Sequence, residues 1–224
     1  MGKSESMQSR TGGVGSTATS SSSPRVATQI FELSHLPQLS QHCIDIGFAM
    51  TKTVDEFTAK RITYETPVLV STVVERLDKE LSKETGGQAA FRVLATASSK
   101  EEIEKEINKI TGGKDFALFS VLSHHPWLNG WFGRKDTPQT YLYTLGNPLV
   151  AQTMLQYDLY TGLHVPPRLL VLEKADRSGT QIIYILPSSL IAVPVGGEVN
   201  EQLKTAAEAL DAKLENLVVR VSAV

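Results

Sequence analysis

Three side chains close together in the sequence could do chemistry: Asn147, His164 and Arg168. A guanidinium is a planar fork of donors, and an amide and an imidazole beside it could orient the same carboxylate or phosphate. Tyr184, in the next β-branched run, is a candidate neighbour. The competing expectation pairs Arg168 with Glu173 or Asp158 at the surface, where ion pairs are common. His124 and His125, taken with His164, invite a metal reading. Adjacent residues of an extended chain point to opposite sides, however, and no Cys or carboxylate stands at ligand spacing around them, so no metal or other cofactor is expected. Trp127, Trp131, Phe132, Tyr141 and Tyr143 form the densest aromatic cluster. Either they line a hydrophobic pocket or partner surface, or they fold over a sheet to close its core; both readings bury the tryptophans. Cys43 has no electropositive setting in the sequence and is expected to be a small buried hydrophobe rather than a nucleophile.

The elements that must position these groups can be read from periodicity. Phe57 to Tyr64 has the β-branched and aromatic content of a strand. Thr66-Pro67 then reads as the cap and first residue of a helix with Leu69, Val73, Leu77 and Leu81 on one face, stopped by Gly86-Gly87. Phe91, Val93 and Ala95 alternate as a strand. Ser99 and Glu102 form a capping box ahead of Ile103, Ile107 and Ile110, with Gly112-Gly113 as the stop. Phe116 to Leu122 reads as a buried strand, His124 to Gly133 as a bulky loop and turn, and Thr140 to Leu145 as a strand. Asn147 caps a helix that begins at Pro148 and carries Leu149, Val150, Met154 and Leu155. Gly162 lets the chain turn, and Pro166-Pro167 lead into a strand, Leu169 to Leu172. Asp176 to Gly179 is turn chemistry before a second strand, Ile182 to Leu186. A link through Val193-Pro194-Val195 reaches a last helix with Leu203, Ala207, Leu210, Leu214 and Leu217 on one stripe.

The chain has 224 residues and a formal net charge of −2, which leaves no basic footprint for nucleic acid. A single cysteine cannot form an internal disulfide and fits a reducing compartment, so the expected location is the cytoplasm. No apolar run approaches the roughly 18 residues of a membrane span, and no secretory signal core is seen. Residues 1–24 are dominated by Ser, Thr and Gly and are expected to be disordered, because they have too little apolar surface to offset ordering entropy. Gly2 followed by Ser6 fits an N-myristoylation pattern, and membrane attachment is expected only if that glycine is acylated. Residues 25–55 read as an appendage, with strand-like composition from Val26 to Leu33, and residues 56–224 as one α+β domain.

Several of these runs carry a family resemblance. Phe57 to Leu81, the run Thr140 to Pro148 ending in Gly146-Asn147-Pro148, Leu163 to Leu172 with Pro166 and Arg168, and Ile182 to Pro187 resemble the family called domain of unknown function 302. The resemblance implies an α+β fold: a curved, mainly antiparallel sheet with helices on one face, in a layout similar to that of the TATA-binding protein, which does not by itself imply DNA binding. It implies no activity and no catalytic residue. The expected function is therefore a non-catalytic module that binds a small ligand or a protein partner, a second copy of the chain included. The alternative is an enzyme or accessory catalyst acting on a small hydrophobic or anionic metabolite. The candidate ligand residues are Asn147, His164, Arg168, Trp127, Trp131, Tyr141, Tyr143 and Tyr184.

Overall fold

The computed structural model describes residues 29–30, 50–194 and 198–224. The tail, most of the appendage, Gly2 and Cys43 lie outside the described residues. The chain divides into two units, Met1–Glu56 and Phe57–Val224. In the first, β1 (Gln29–Ile30) pairs antiparallel with β2 (Thr51–Lys52).

The second unit is built around the leucine stripe of the last helix. Residues spaced four and three apart along α7 (Glu201–Ser222) fall on one face, and Leu203, Ala207, Leu210, Leu214, Leu217 and Val221 are all buried. At about 1.5–3 kcal/mol for each large apolar side chain removed from water, that stripe is the main reason the helix stays docked. It packs beside α1 (Val70–Glu80), whose Val73 and Leu77 enter the same core. The carbonyls at the end of α7 have no partner within the helix and are satisfied from outside. Arg76 donates to Val221 O at 3.1 Å, and the Thr66 hydroxyl donates to Ser222 O at 2.8 Å.

These two helices cover one face of an open, five-stranded antiparallel sheet. Its strands are β3 (Arg61–Thr66), β4 (Ala117–Ser123), β5 (Thr140–Gly146), β6 (Arg168–Glu173) and β7 (Thr180–Ile185), in the order β3-β7-β6-β5-β4. Strands β4 to β7 form a meander in chain order, and β3 closes the far edge against β7. Tyr143, Leu145, Leu169, Val171, Ile182 and Tyr184 point into the α1–α7 core. A smaller cluster joins α2 (Gln88–Thr96) and α3 (Lys100–Thr111) to the start of β4 through Ala90, Ile107, Ile110, Ala117 and Phe119. The fold class expected from the sequence is thus the observed one.

Several local expectations differ from the structure, each for a physical reason. Thr66 does accept the Val68 N–H, as a cap would, but its hydroxyl also holds the end of α7. The chain stays extended to Leu69, so α1 begins at Val70 and Leu69 is exposed. The first strand lies at Arg61–Thr66, and Phe57 precedes it. Phe91, Val93 and Ala95 are in helix α2 rather than a strand: a three-residue alternation is too short to outweigh an Ala-rich run whose Ala90 and Val93 share a helical face. Gly86 and Gly87 do not stop α1, which ends at Glu80. They form a seam against β4, where Gly87 N–H donates to Leu118 O at 2.6 Å and Leu118 N–H donates to Leu81 O at 2.9 Å. Residues His125–Phe132 form a helix, α4, because Pro126 in the first turn has no hydrogen bond to lose there. The capping box is real but displaced by one residue. Ser99 Oγ accepts from Glu102 N–H, and the Glu102 carboxylate reaches Ser98 instead of Ser99.

One half-buried carboxylate makes stability depend on pH. Asp211 on α7 accepts the Ser188 N–H at 2.9 Å, and burial pushes its carboxyl above the usual carboxylate range. A folded-state pKa above the unfolded one favours the protonated form, so this contribution is present at low pH and is lost as pH rises through the folded value. Ionised Asp211 therefore costs stability at neutral pH. Asp211→Asn keeps the acceptor without the charge. Its Tm at pH 7 should equal or exceed the parent's, and the gap should close as the pH is lowered to about 4. A variant clearly less stable at pH 7 would contradict this account.

Candidate functional site

The second unit carries a cleft of about 710 Å³ between α3, α7 and α5 (Pro148–Leu155), floored by the ends of β4 and β5. Its walls are mainly apolar: Ile103 from α3, Phe119 from β4, Leu149 and Met154 from α5, Val165 and Pro166 from the approach to β6. Lys100 and Glu104 add charge from α3, and their 3.6 Å ion pair is largely exposed. Asn147 and Gln152 contribute amides.

The floor depends on Gly146. A Cβ there would lie 2.9 Å from Pro166 Cβ and 3.4 Å from Phe119 Cε2, so only glycine lets the end of β5 pass this close to the proline. Asn147 then starts α5. Its Oδ1 accepts Leu149 N–H at 2.9 Å and its carbonyl accepts from Val150 and Ala151. The expected cap at Asn147 is therefore observed, with the residue forming cleft wall as well.

The other sequence candidates do not converge on this cleft. His164 ends a short 3-10 turn, Leu159–Leu163, and burial pushes its imidazole below the ordinary histidine range, toward the neutral form that lacks charge for an anion. Arg168 begins β6, exposed and level with Thr144 of β5. Its expected pairing with Glu173 or Asp158 does not form. Glu173 instead accepts Gln139 N–H and pairs with Arg177, while Asp158 caps the 3-10 turn through Tyr160 N–H. Tyr143 and Tyr184 are in the α1–α7 core. The Tyr143 hydroxyl donates to Asp78 at 2.9 Å, and burial drives both phenols well above the tyrosine range. Tyr141 is half-buried and donates to Gln139 Oε1 at 2.9 Å.

The tryptophans are not buried, against both readings of the aromatic cluster. Trp127 is 53% exposed and Trp131 is 78% exposed on α4, a helix that buries none of its residues. The histidines beside them have structural tasks. His125 Nδ1 accepts Thr140 N–H at 3.1 Å with its ring against Tyr141, and His124 packs edge-on to Trp127. Among the described residues no group of three His, Cys, Asp or Glu could hold a metal ion. The same residues include no helix long and apolar enough to cross a membrane.

Of the eight candidates, the cleft contains Asn147 alone. Of its walls, Ile103, Phe119, Leu149 and Met154 are legible in the sequence only as core faces. The apolar periodicity of a groove wall is the same as that of a packed helix or strand.

No curated protein matches the chain. The crystal structure of an uncharacterized conserved DUF302 protein from Bacillus stearothermophilus is similar with a TM-score of 0.48 and 19% identity, over 72% of this chain and 97% of that one. The model of the family "Domain of unknown function DUF302" matches residues 91–219, more than half of the chain. The matched stretch runs from α2 through the whole β4–β7 meander into the last turns of α7, and every residue lining the cleft falls inside it. The β4–β7 meander, the Gly146-Asn147-Pro148 junction and the cleft are thus parts of one recognised domain, and the chain belongs to the DUF302 family.

Proposed function

We propose that this domain is a non-catalytic module that binds a small, mainly apolar molecule in the cleft between α3, α5 and α7. The observation that carries the reading is the cleft itself. Its volume of about 710 Å³ suits a drug-sized or lipid-sized ligand, and its walls are apolar with a few polar groups at one side. An aliphatic or aromatic body would lie along Ile103, Phe119, Leu149 and Met154, with a polar or anionic end toward Lys100. Lys100 already faces Glu104, so charge adds orientation more than affinity. A catalytic reading has less support, since His164, Arg168 and Tyr184 do not line the cleft.

Gly162 offers a clean test. It lines the cleft, and a Cβ there would meet only Leu155 Cδ2, at 3.8 Å. Gly162→Leu should therefore fold normally while filling ligand space. Native mass spectrometry with decanoic acid and decanol should show one equivalent bound by the parent and at least a roughly tenfold loss in the variant, with Tm unchanged. Binding of both probes that is equally strong in Gly162→Leu, or absent from the parent, would reject the proposal. Preference for the acid over the alcohol would assign the anionic end.

A further inference from the structure

Helix α4 is held to the domain by polar groups. His124 N–H donates to Thr140 O at 2.9 Å, His125 Nδ1 accepts Thr140 N–H, and Asn129 Oδ1 accepts Thr137 N–H at 3.2 Å. Its aromatic groups are left outside. Trp127 and Trp131 are four residues apart, so they share a face of the helix, and Phe132 beside them is 59% exposed. The chain has two tryptophans, and both are here. Aromatic side chains bury about 150–250 Å² each in a core, so three rings exposed to this degree present on the order of 400 Å² of apolar surface. A contiguous patch of that size marks an interaction site.

The rim of the patch is basic. No acidic residue lies between Asp115 and Asp136, and Arg134 and Lys135 follow the helix almost directly. The Arg134 guanidinium lies 5.2 Å from the centre of the Phe132 ring and donates to Thr137 Oγ1 at 2.9 Å, which keeps its charge at the edge of the aromatic surface. Neither cation is in an ion pair among the described residues. Arg177 donates to Asp136 O at 3.4 Å and is balanced by Glu173. Asp136 opposes the cations, and the rim stays net positive.

We infer that α4 is a membrane anchor that lies along the surface of an anionic lipid bilayer. Trp127, Trp131 and Phe132 enter the headgroup layer, and Arg134 and Lys135 meet lipid phosphates and carboxylates. An indole has an apolar body and one N–H donor, which suits the boundary between acyl chains and headgroups, and flanking cations are attracted to anionic lipid. Area separates a bilayer from a protein partner. A specific protein interface buries about 800 Å² on each side, roughly twice what this patch offers. A bilayer needs no matching area, because lipid closes around a short wedge of rings. Such an anchor resembles a single acyl chain in strength, so half-binding is expected on the order of 0.1 mM lipid. The anchor needs no acyl group at Gly2 and does not use the cleft: α4 follows the end of β4, whereas the cleft meets that strand at Phe119, nearer its start.

Because both tryptophans are on α4, tryptophan emission from the full chain, unacylated at Gly2, reports this patch alone. Vesicles of phosphatidylcholine and phosphatidylserine in equal parts should shift it to the blue, and lipid brominated near the headgroup should quench it. In flotation, Trp131→Ala should bind these vesicles about tenfold more weakly. Lys135→Gln should lose about fivefold on them and nothing on pure phosphatidylcholine. Both side chains are exposed, so Tm should not move, and Gly162→Leu should float as the parent does. Absence of both the shift and flotation overturns the inference. So does parent-like flotation of Trp131→Ala, which would place the contact elsewhere. A blue shift that grows with protein concentration and needs no lipid overturns it too, by assigning the patch to a protein surface.

Discussion

Gly179→Ala should destabilise the protein by roughly 3 kcal/mol or more, lowering Tm by about 6–12 °C. Gly179 follows the Asp176–Ser178 turn between β6 and β7, where Asp176 Oδ1 accepts from both Ser178 N–H and Ser178 Oγ. Its φ is 155°, a conformation that L side chains rarely adopt, and its carbonyl accepts Lys174 N–H at 2.9 Å. A Cβ would lie 2.1 Å from Thr66 O and 2.9 Å from Pro67 Cα, and both are backbone. No rotamer change relieves such a clash. Either the turn or the Thr66–Val68 segment must move, which would strain the Thr180 hydroxyl bond to Val68 O at 2.7 Å. Urea unfolding measures the loss directly. An alanine variant within about 0.5 kcal/mol of the parent would mean that the turn does not hold β3 and the entry to α1 together as described.

Tyr143→Ala is expected to cost about 3–5 kcal/mol, and Tyr143→Phe only about 1 kcal/mol. Tyr143 is 0% exposed and sits in the α1–α7 core, so the alanine variant leaves a ring-sized cavity. The phenylalanine variant fills the space and removes one bond to Asp78, which keeps Lys83 at 2.6 Å and remains partly solvated. The pair of variants separates packing from polarity. It also tests the removal of Tyr143 from the ligand residues: cleft binding measured with decanoic acid should be the same in Tyr143→Phe as in the parent. Equal stability losses for the two variants would show that the hydroxyl, not the ring, does the holding.

Elements whose signals are local were legible in the sequence. Asn147 before Pro148, Gly112 after α3 and the Leu203–Leu217 stripe all act within one or two helical turns, and all are found as expected. Misreadings arose where a distant partner competes for the same group. Thr66 has cap chemistry, but the end of α7 also uses its hydroxyl. Gly86 has the chemistry of a helix stop, but a Cβ there would lie 2.7 Å from Leu118 O, so glycine is required by a strand 32 residues on. The candidate site suffered most. His164 and Arg168 are close in sequence but belong to the end of a turn and the start of a strand, away from the cleft. A binding groove made of aliphatic walls has no residue type that distinguishes it from core.

The seam at Leu118 has a consequence for self-association by strand addition. β4 is an edge strand, and an edge with free N–H and C=O groups is a template on which another chain can grow. At Leu118 both groups are already engaged, the amide with Leu81 and the carbonyl with Gly87. The link between α1 and α2 thus acts as a plug on the start of the edge, and the register shift between Leu118 and Ser120 bends the strand just beyond it. A foreign strand would find only the short run from Ser120 to Ser123 open. The two glycines that let the link approach thereby protect the sheet from polymerising along its hydrogen-bonding direction.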